Sequence, residues 1–185
     1  MIKQPLQTND VRTICSLLAA AGRWRDLALF RMGIDTMLRA SDLVRLKVGD
    51  VMAWDGTILP VIEVKQKKTG ALVKCLLTDE TREALVKHLH TVGDGSPWVF
   101  PGYKDFLREA CYRRLLKGWV SMAQLDPDLY STHSIRRAKS SAVYRTTHNI
   151  EAVRQLLGHS SLAHTQRYLG VASEEALGLA AGVAI

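Results

Sequence analysis

The residues with chemical potential cluster late in the chain. Thr132, His133, Ser134, Ile135, Arg136 and Arg137 form one polar group, Leu157, Gly158 and His159 a second, and Thr165, Gln166, Arg167 and Tyr168 a third. His133 and Arg136 stand three residues apart, which puts both side chains on one helix face where they can contact one anion together. A helix N-terminus beside them adds unpaired N–H groups that favour the same anion. Tyr168 supplies a phenol whose free pKa is about 10, so at neutral pH it needs a positive field or a base to become a nucleophile. Arginines and histidines provide both. The chemistry that fits is attack on a phosphodiester. Charge builds on the non-bridging oxygens, and planar guanidinium groups such as Arg39 and Arg136 bind such oxygens bidentately without a metal ion. The departing sugar oxygen needs a proton, and Lys68, on an exposed turn, can give it.

These groups must be positioned by a mainly helical frame. Thr8 and Asn9, followed by Val11, Ile14, Leu17 and Leu18, predict a capped amphipathic helix ending near Gly22. Further helices are expected over residues 23–33 and 38–46, the second carrying Arg39 near its start. The pattern then changes to a three-stranded antiparallel meander: Val51 to Ala53, a turn at Asp55 and Gly56, Ile58 to Val64, a turn at Thr69 and Gly70, and Leu72 to Leu77. Lys65, Lys67 and Lys68 crowd the second turn, so ammonium groups stand out on a hairpin tip. Helices resume over residues 78–90, 106–122, 132–146 and 150–157, the last closed by Gly158. A final Ala/Leu-rich helix is expected from Ser173 to Ile185, with Glu174 and Glu175 in its first turn.

Composition narrows the partners. Lys and Arg outnumber Asp and Glu 25 to 18, a net charge of +7, which favours a polyanion. Cys15, Cys75 and Cys111 form no C-x-x-C pair and are odd in number, which argues against a disulfide framework or a cysteine zinc site and fits a reducing cytoplasm. None of the six histidines has the H-x-x-x-H spacing of a helical metal site. No signal-peptide core and no apolar run near the roughly 20 residues of a membrane span are present.

The ordered motifs resemble the catalytic domain of the tyrosine recombinases, also called the phage integrase family. Arg39, with Asp42 three residues on, resembles the first arginine box, where the acidic residue is usually Glu. Lys68 before Thr69 and Gly70 resembles the hairpin lysine signature. His133 to Arg136 resembles the H-x-x-R box, and Leu157, Gly158 and His159 the following histidine box. Tyr168, nine residues past His159, occupies the nucleophile position. Taken singly, Arg39 reads as an ion-paired surface arginine, Lys68 as solvated decoration and Tyr168 as a half-buried aromatic. Six positions in the right order reverse those readings.

The resemblance implies an α+β, mainly helical catalytic core that cleaves and rejoins duplex DNA through a 3′-phosphotyrosyl intermediate. The catalytic set would be Arg39, Lys68, His133, Arg136, His159 and Tyr168, with no metal, ATP or organic cofactor. It also implies a homotetramer on two DNA sites, monomeric without DNA, with accessory DNA-bending proteins and a cytoplasmic, nucleoid-associated location. The C-terminal helix would pack on its own chain or in a neighbouring protomer. The N-terminal core-binding domain of many members has no counterpart, so residues 1–185 are expected to be a single catalytic domain, of the short class or a fragment. A type IB topoisomerase-like relaxing enzyme and a non-catalytic DNA-binding factor on the same fold are the alternatives.

Overall fold

The computed structural model describes residues 3–92 and 95–170. Helix α1 (Thr8–Ala20) buries Ile14, Cys15 and Leu18, the spacing of a single helix face, and Asp10 Oδ2 accepts the Gln7 N–H at 2.9 Å to cap its start. Helix α2 (Trp24–Thr36) is buried almost all round because it lies centrally, packed on α1 and on helices that follow. Gly33 permits that packing: a Cβ there would stand 2.7 Å from Tyr112 Oη and 2.9 Å from Ile135 Cγ2. The helix therefore runs through Gly33 to Thr36, three residues past its expected end. Short helices α3 (Ala40–Leu43) and α4 (Val48–Val51) follow.

The sheet among the described residues has two strands, β1 (Val61–Lys65) and β2 (Leu72–Leu76), and not the three of the expected meander. They pair antiparallel from Val61 opposite Leu76 to Lys65 opposite Leu72. Ile62, Val64, Val73 and Cys75 face the core, and the alternate residues face outward. The missing first strand has a local cause. Asp50 Oδ2 accepts the Lys47 N–H at 2.8 Å and starts a helical turn at Val48, so Met52 is left to pair with Ile58 as a lone bridge.

Helices α5 (Asp79–Val92) and α6 (Glu109–Met122) come next. Phe106 is bridged to Pro101 and the Leu107 N–H donates to Phe100 O at 2.7 Å, so α6 begins three residues later than expected. A 3₁₀ turn, Pro127–Leu129, leads to α7 (Thr132–Thr147), α8 (Ile150–Leu157) and α9 (Leu162–Leu169). The main core joins α1, α2, the hairpin, α5, α6 and the start of α7 around Phe30, Phe100 and Trp119. A satellite cluster of Met37, Val153 and Leu157 supports Tyr144, Tyr168 and Leu169. Of the four tryptophans, Trp119 is core, while Trp54 is 99% exposed. The expected helix at 173–185 lies outside the described residues. Among those described, no helix is long and apolar enough to cross a membrane.

Candidate active site

A cleft of about 620 Å³ opens between the hairpin turn, the start of α7 and the α8–α9 connection. Arg39, Lys68, His133, His159 and Tyr168 all line it. Arg136 does not. It is 2% exposed and lies beneath, with its Cζ 5.7 Å from the centroid of the Tyr168 ring. The six residues singled out in the sequence therefore meet in space, five on the wall and one under the floor.

Each is held by local structure. Arg39 occupies the N-cap of α3, where its carbonyl accepts the N–H groups of Asp42 and Leu43 at 2.9 Å, and its guanidinium donates to Gln66 Oε1. Lys68 sits in the turn between β1 and β2, which Gly70 closes at φ +69° while its N–H donates to Gln66 O at 2.8 Å. Asp42 Oδ1 accepts the Lys67 N–H at 3.0 Å and ties that turn to α3. His133 and Arg136 occupy the first turns of α7, begun at Ser131, whose N–H donates to Ser134 Oγ at 3.0 Å. Arg136 Nη2 donates to Leu157 O at 2.8 Å, reaching across to the end of α8.

His159 follows Gly158, the left-handed cap of α8. Its Nδ1 lies 3.1 Å from Thr165 Oγ1, and its ring meets the Tyr168 ring edge-on at 5.4 Å. Tyr168 rides on the last turn of α9, whose start is capped by Ser161 Oγ accepting the His164 N–H.

Burial first, and the surrounding charges second, set the protonation states. Burial pulls Arg136 down to about 10, still a cation at neutral pH. Burial, then Arg136 and Arg39, holds both His133 and His159 below the usual imidazole value, His159 at about 4. Both rings are therefore neutral at pH 7 and able to accept a proton. Burial pushes Tyr168 up to about 12, against the pull of Arg136, Arg137 and Arg39. Its Oη is buried and has no hydrogen-bond partner among the described residues. The phenol is thus protonated, with guanidinium groups placed to favour its anion.

Three further groups belong to the site beyond the six. Arg137 lines the cleft, places its Cζ 5.7 Å from the Tyr168 ring centroid and donates to Lys3 O at 3.0 Å. Its place beside Arg136 was the available signal. Gln66 and Thr165 are buried and bond site residues; Thr165 falls in the third polar cluster of the sequence, whereas Gln66 carries no charge that marks it. Of the other histidines, His88 is buried, with Nε2 2.7 Å from Val99 O, and His164 is exposed at the cleft edge. No group of three His, Cys, Asp or Glu able to hold a metal ion occurs among the described residues.

The same architecture is found in known proteins. The profile of the phage integrase family matches residues 4–175, and the chain belongs to that family. Tyrosine recombinase XerC of Erythrobacter litoralis (strain HTCC2594) is 31% identical over 147 residues, covering 80% of this chain and 46% of the relative. The chain thus spans about half the length of the curated relatives it matches first. Among solved structures, XerA recombinase superposes with a TM-score of 0.77 at 19% identity, covering 96% of this chain and 62% of that one. XerH site-specific recombinase bound to palindromic difH substrate, a post-cleavage complex, gives 0.74 at 18% identity over 99% of this chain and 54% of that one. At such identities the likeness establishes the fold.

Proposed function

We propose that this chain carries the catalytic centre of a site-specific recombinase that cuts and rejoins duplex DNA. The observation that carries the reading is the convergence of Arg39, Lys68, His133, His159 and Tyr168 on one cleft, over a buried Arg136. Tyr168 Oη attacks phosphorus; the bond from Oη to phosphorus forms as the bond to the 5′ oxygen breaks. A 3′-phosphotyrosyl link and a free 5′-hydroxyl result. Neutral His159 and His133 can take up the phenolic proton, and Lys68 donates one to the departing 5′ oxygen. Arg39, on the cleft wall, holds the non-bridging oxygens as negative charge builds on them, and Arg136 adds its positive field from beneath the floor, the role a metal ion fills in other phosphoryl transfers. A second strand's 5′-hydroxyl then reverses the steps. Bond energy is conserved in the protein link, so ATP is not consumed.

The relatives named recombinases, and the solved XerH complex with its difH substrate, support DNA as the partner. Exchange between two duplexes uses one site for each of four strands, hence a homotetramer on DNA built from protomers monomeric without it. Accessory DNA-bending proteins align the sites. Residues 1–185 act as one catalytic domain.

The test is incubation of the purified protein, in EDTA, with a pool of nicked duplexes of random sequence, scored for a protease-sensitive covalent adduct on a denaturing gel. An adduct is expected. Duplex binding without any adduct would instead indicate a DNA-binding factor on the same fold, and relaxation of plasmids lacking any preferred site a topoisomerase.

A further inference from the structure

Gln66 is 1% exposed, and every polar atom of its side chain is used. Oε1 accepts from the Arg39 guanidinium and from Thr69 Oγ1 at 2.9 Å, and Nε2 donates to Leu157 O at 3.0 Å. That carbonyl also accepts from Arg136 Nη2 at 2.8 Å. The main chain of Gln66 closes the turn that holds Lys68: its N–H donates to Ala71 O and its carbonyl accepts the Gly70 N–H, both at 2.8 Å. One amide therefore touches Arg39 directly, the Lys68 turn through Thr69, and Arg136 through a shared acceptor. Only one orientation of that amide works. Turned over, its NH₂ would face a guanidinium and its oxygen a carbonyl.

We propose that Gln66 is a positioning residue for strand cleavage, fixing the fork of Arg39 and its registration with Arg136 and Lys68 across the scissile phosphate. This rests on the recombinase reading. A neutral amide suits the task because it aims Arg39 without cancelling its charge, where a carboxylate would form an ion pair and weaken its hold on phosphate oxygens. The backbone leaves little slack. A Cβ on Gly158 would stand 2.9 Å from Gln66 Nε2 and 2.6 Å from Val73 Cγ1, so the end of α8 packs directly on the amide.

The experiment uses a nicked duplex recovered from wild-type adducts. Gln66→Met keeps the volume and removes all three side-chain bonds. Its single-turnover adduct formation should fall about ten- to a hundred-fold, with duplex affinity within about two-fold, because misplacing a reacting group by about 1 Å costs that much. In an Arg39→Lys background the same change should have almost no further effect, since Gln66 acts through Arg39. A purely structural glutamine would slow both backgrounds equally, and that result overturns the proposal. Should Gln66→Met not fold, Gln66→Glu keeps the bonds to Arg39 and Thr69 and should still cleave at least ten-fold more slowly; wild-type rates there overturn it. Independently of cleavage, the Arg39 guanidinium protons, resolved by NMR in the wild-type protein, should lose their protection in the Gln66 variant. If wild type forms no adduct but this change appears, the recombinase reading fails, and with it a role in cleavage, while the anchoring of Arg39 by Gln66 stands; unchanged Arg39 signals refute the anchoring itself.

Discussion

Arg136 and Gln66 donate to one and the same carbonyl, Leu157 O, at 2.8 and 3.0 Å. Through it, α7, the β1–β2 hairpin and the end of α8 meet at one point. The last residue of α8 is thereby fixed against two partners, and the chain beyond it, through Gly158 and His159 to Tyr168, is aimed from there.

Gly158 should tolerate no side chain. Its φ of +63° is left-handed, and a Cβ would meet Val73 Cγ1 at 2.6 Å. Gly158→Ala is expected to cost about 1–3 kcal/mol of stability. A lower urea midpoint with an unchanged slope would show it. Adduct formation should fall as well, because Gln66 lies on the same path.

The two site histidines predict a specific pH response. His159 is held at about 4 in the folded protein, against an ordinary 6.5, so the unfolded chain takes up this proton first as pH falls. The contribution of His159 to stability is complete above 6.5 and is lost between 6.5 and about 4. Thermal melting should fall across that window more steeply in wild type than in His159→Gln. With neutral imidazoles and a protonated Tyr168, adduct formation should stay level from about pH 6.5 to about pH 9, with no inflection at the ordinary histidine value.

Much of this was legible in the sequence, and the exceptions have physical reasons. The site residues stood out because Tyr, Arg, His and Lys are chemically conspicuous and fall in ordered motifs; Arg39 was placed on a helix start, where it is. Gln66 was not legible, because an uncharged amide announces nothing until its neighbours in space are known, and Leu157 lies 91 residues away. The first strand of the meander, expected over Val51 to Ala53, does not form: Val51 and Met52 have strand-like side chains, whereas Asp50 stabilises a turn of helix locally. Nor does its motif tell that Arg136 is buried, since the carbonyl it donates to, Leu157 O, lies 21 residues away in sequence.

Binding to duplex DNA should depend on salt through the cleft's cations. Arg167 is exposed at the cleft edge and makes no contact with the Tyr168 ring that matches those of Arg136 and Arg137. Arg167→Ala should weaken binding to all sequences alike and reduce the slope of log affinity against log salt by about 1. Fluorescence anisotropy across a salt series measures that slope; an unchanged slope would remove Arg167 from the DNA-facing surface.

The central claim is that Tyr168 is the nucleophile, and the most direct measurement locates the DNA on the protein. The covalent adduct from wild-type protein is digested with trypsin and nuclease, and the peptide carrying a residual nucleotide is sequenced by tandem mass spectrometry. The account predicts a nucleotide on Tyr168 through a phosphodiester, and no adduct from Tyr168→Phe at unchanged duplex affinity. A nucleotide on another residue, or an adduct that survives Tyr168→Phe, would contradict it.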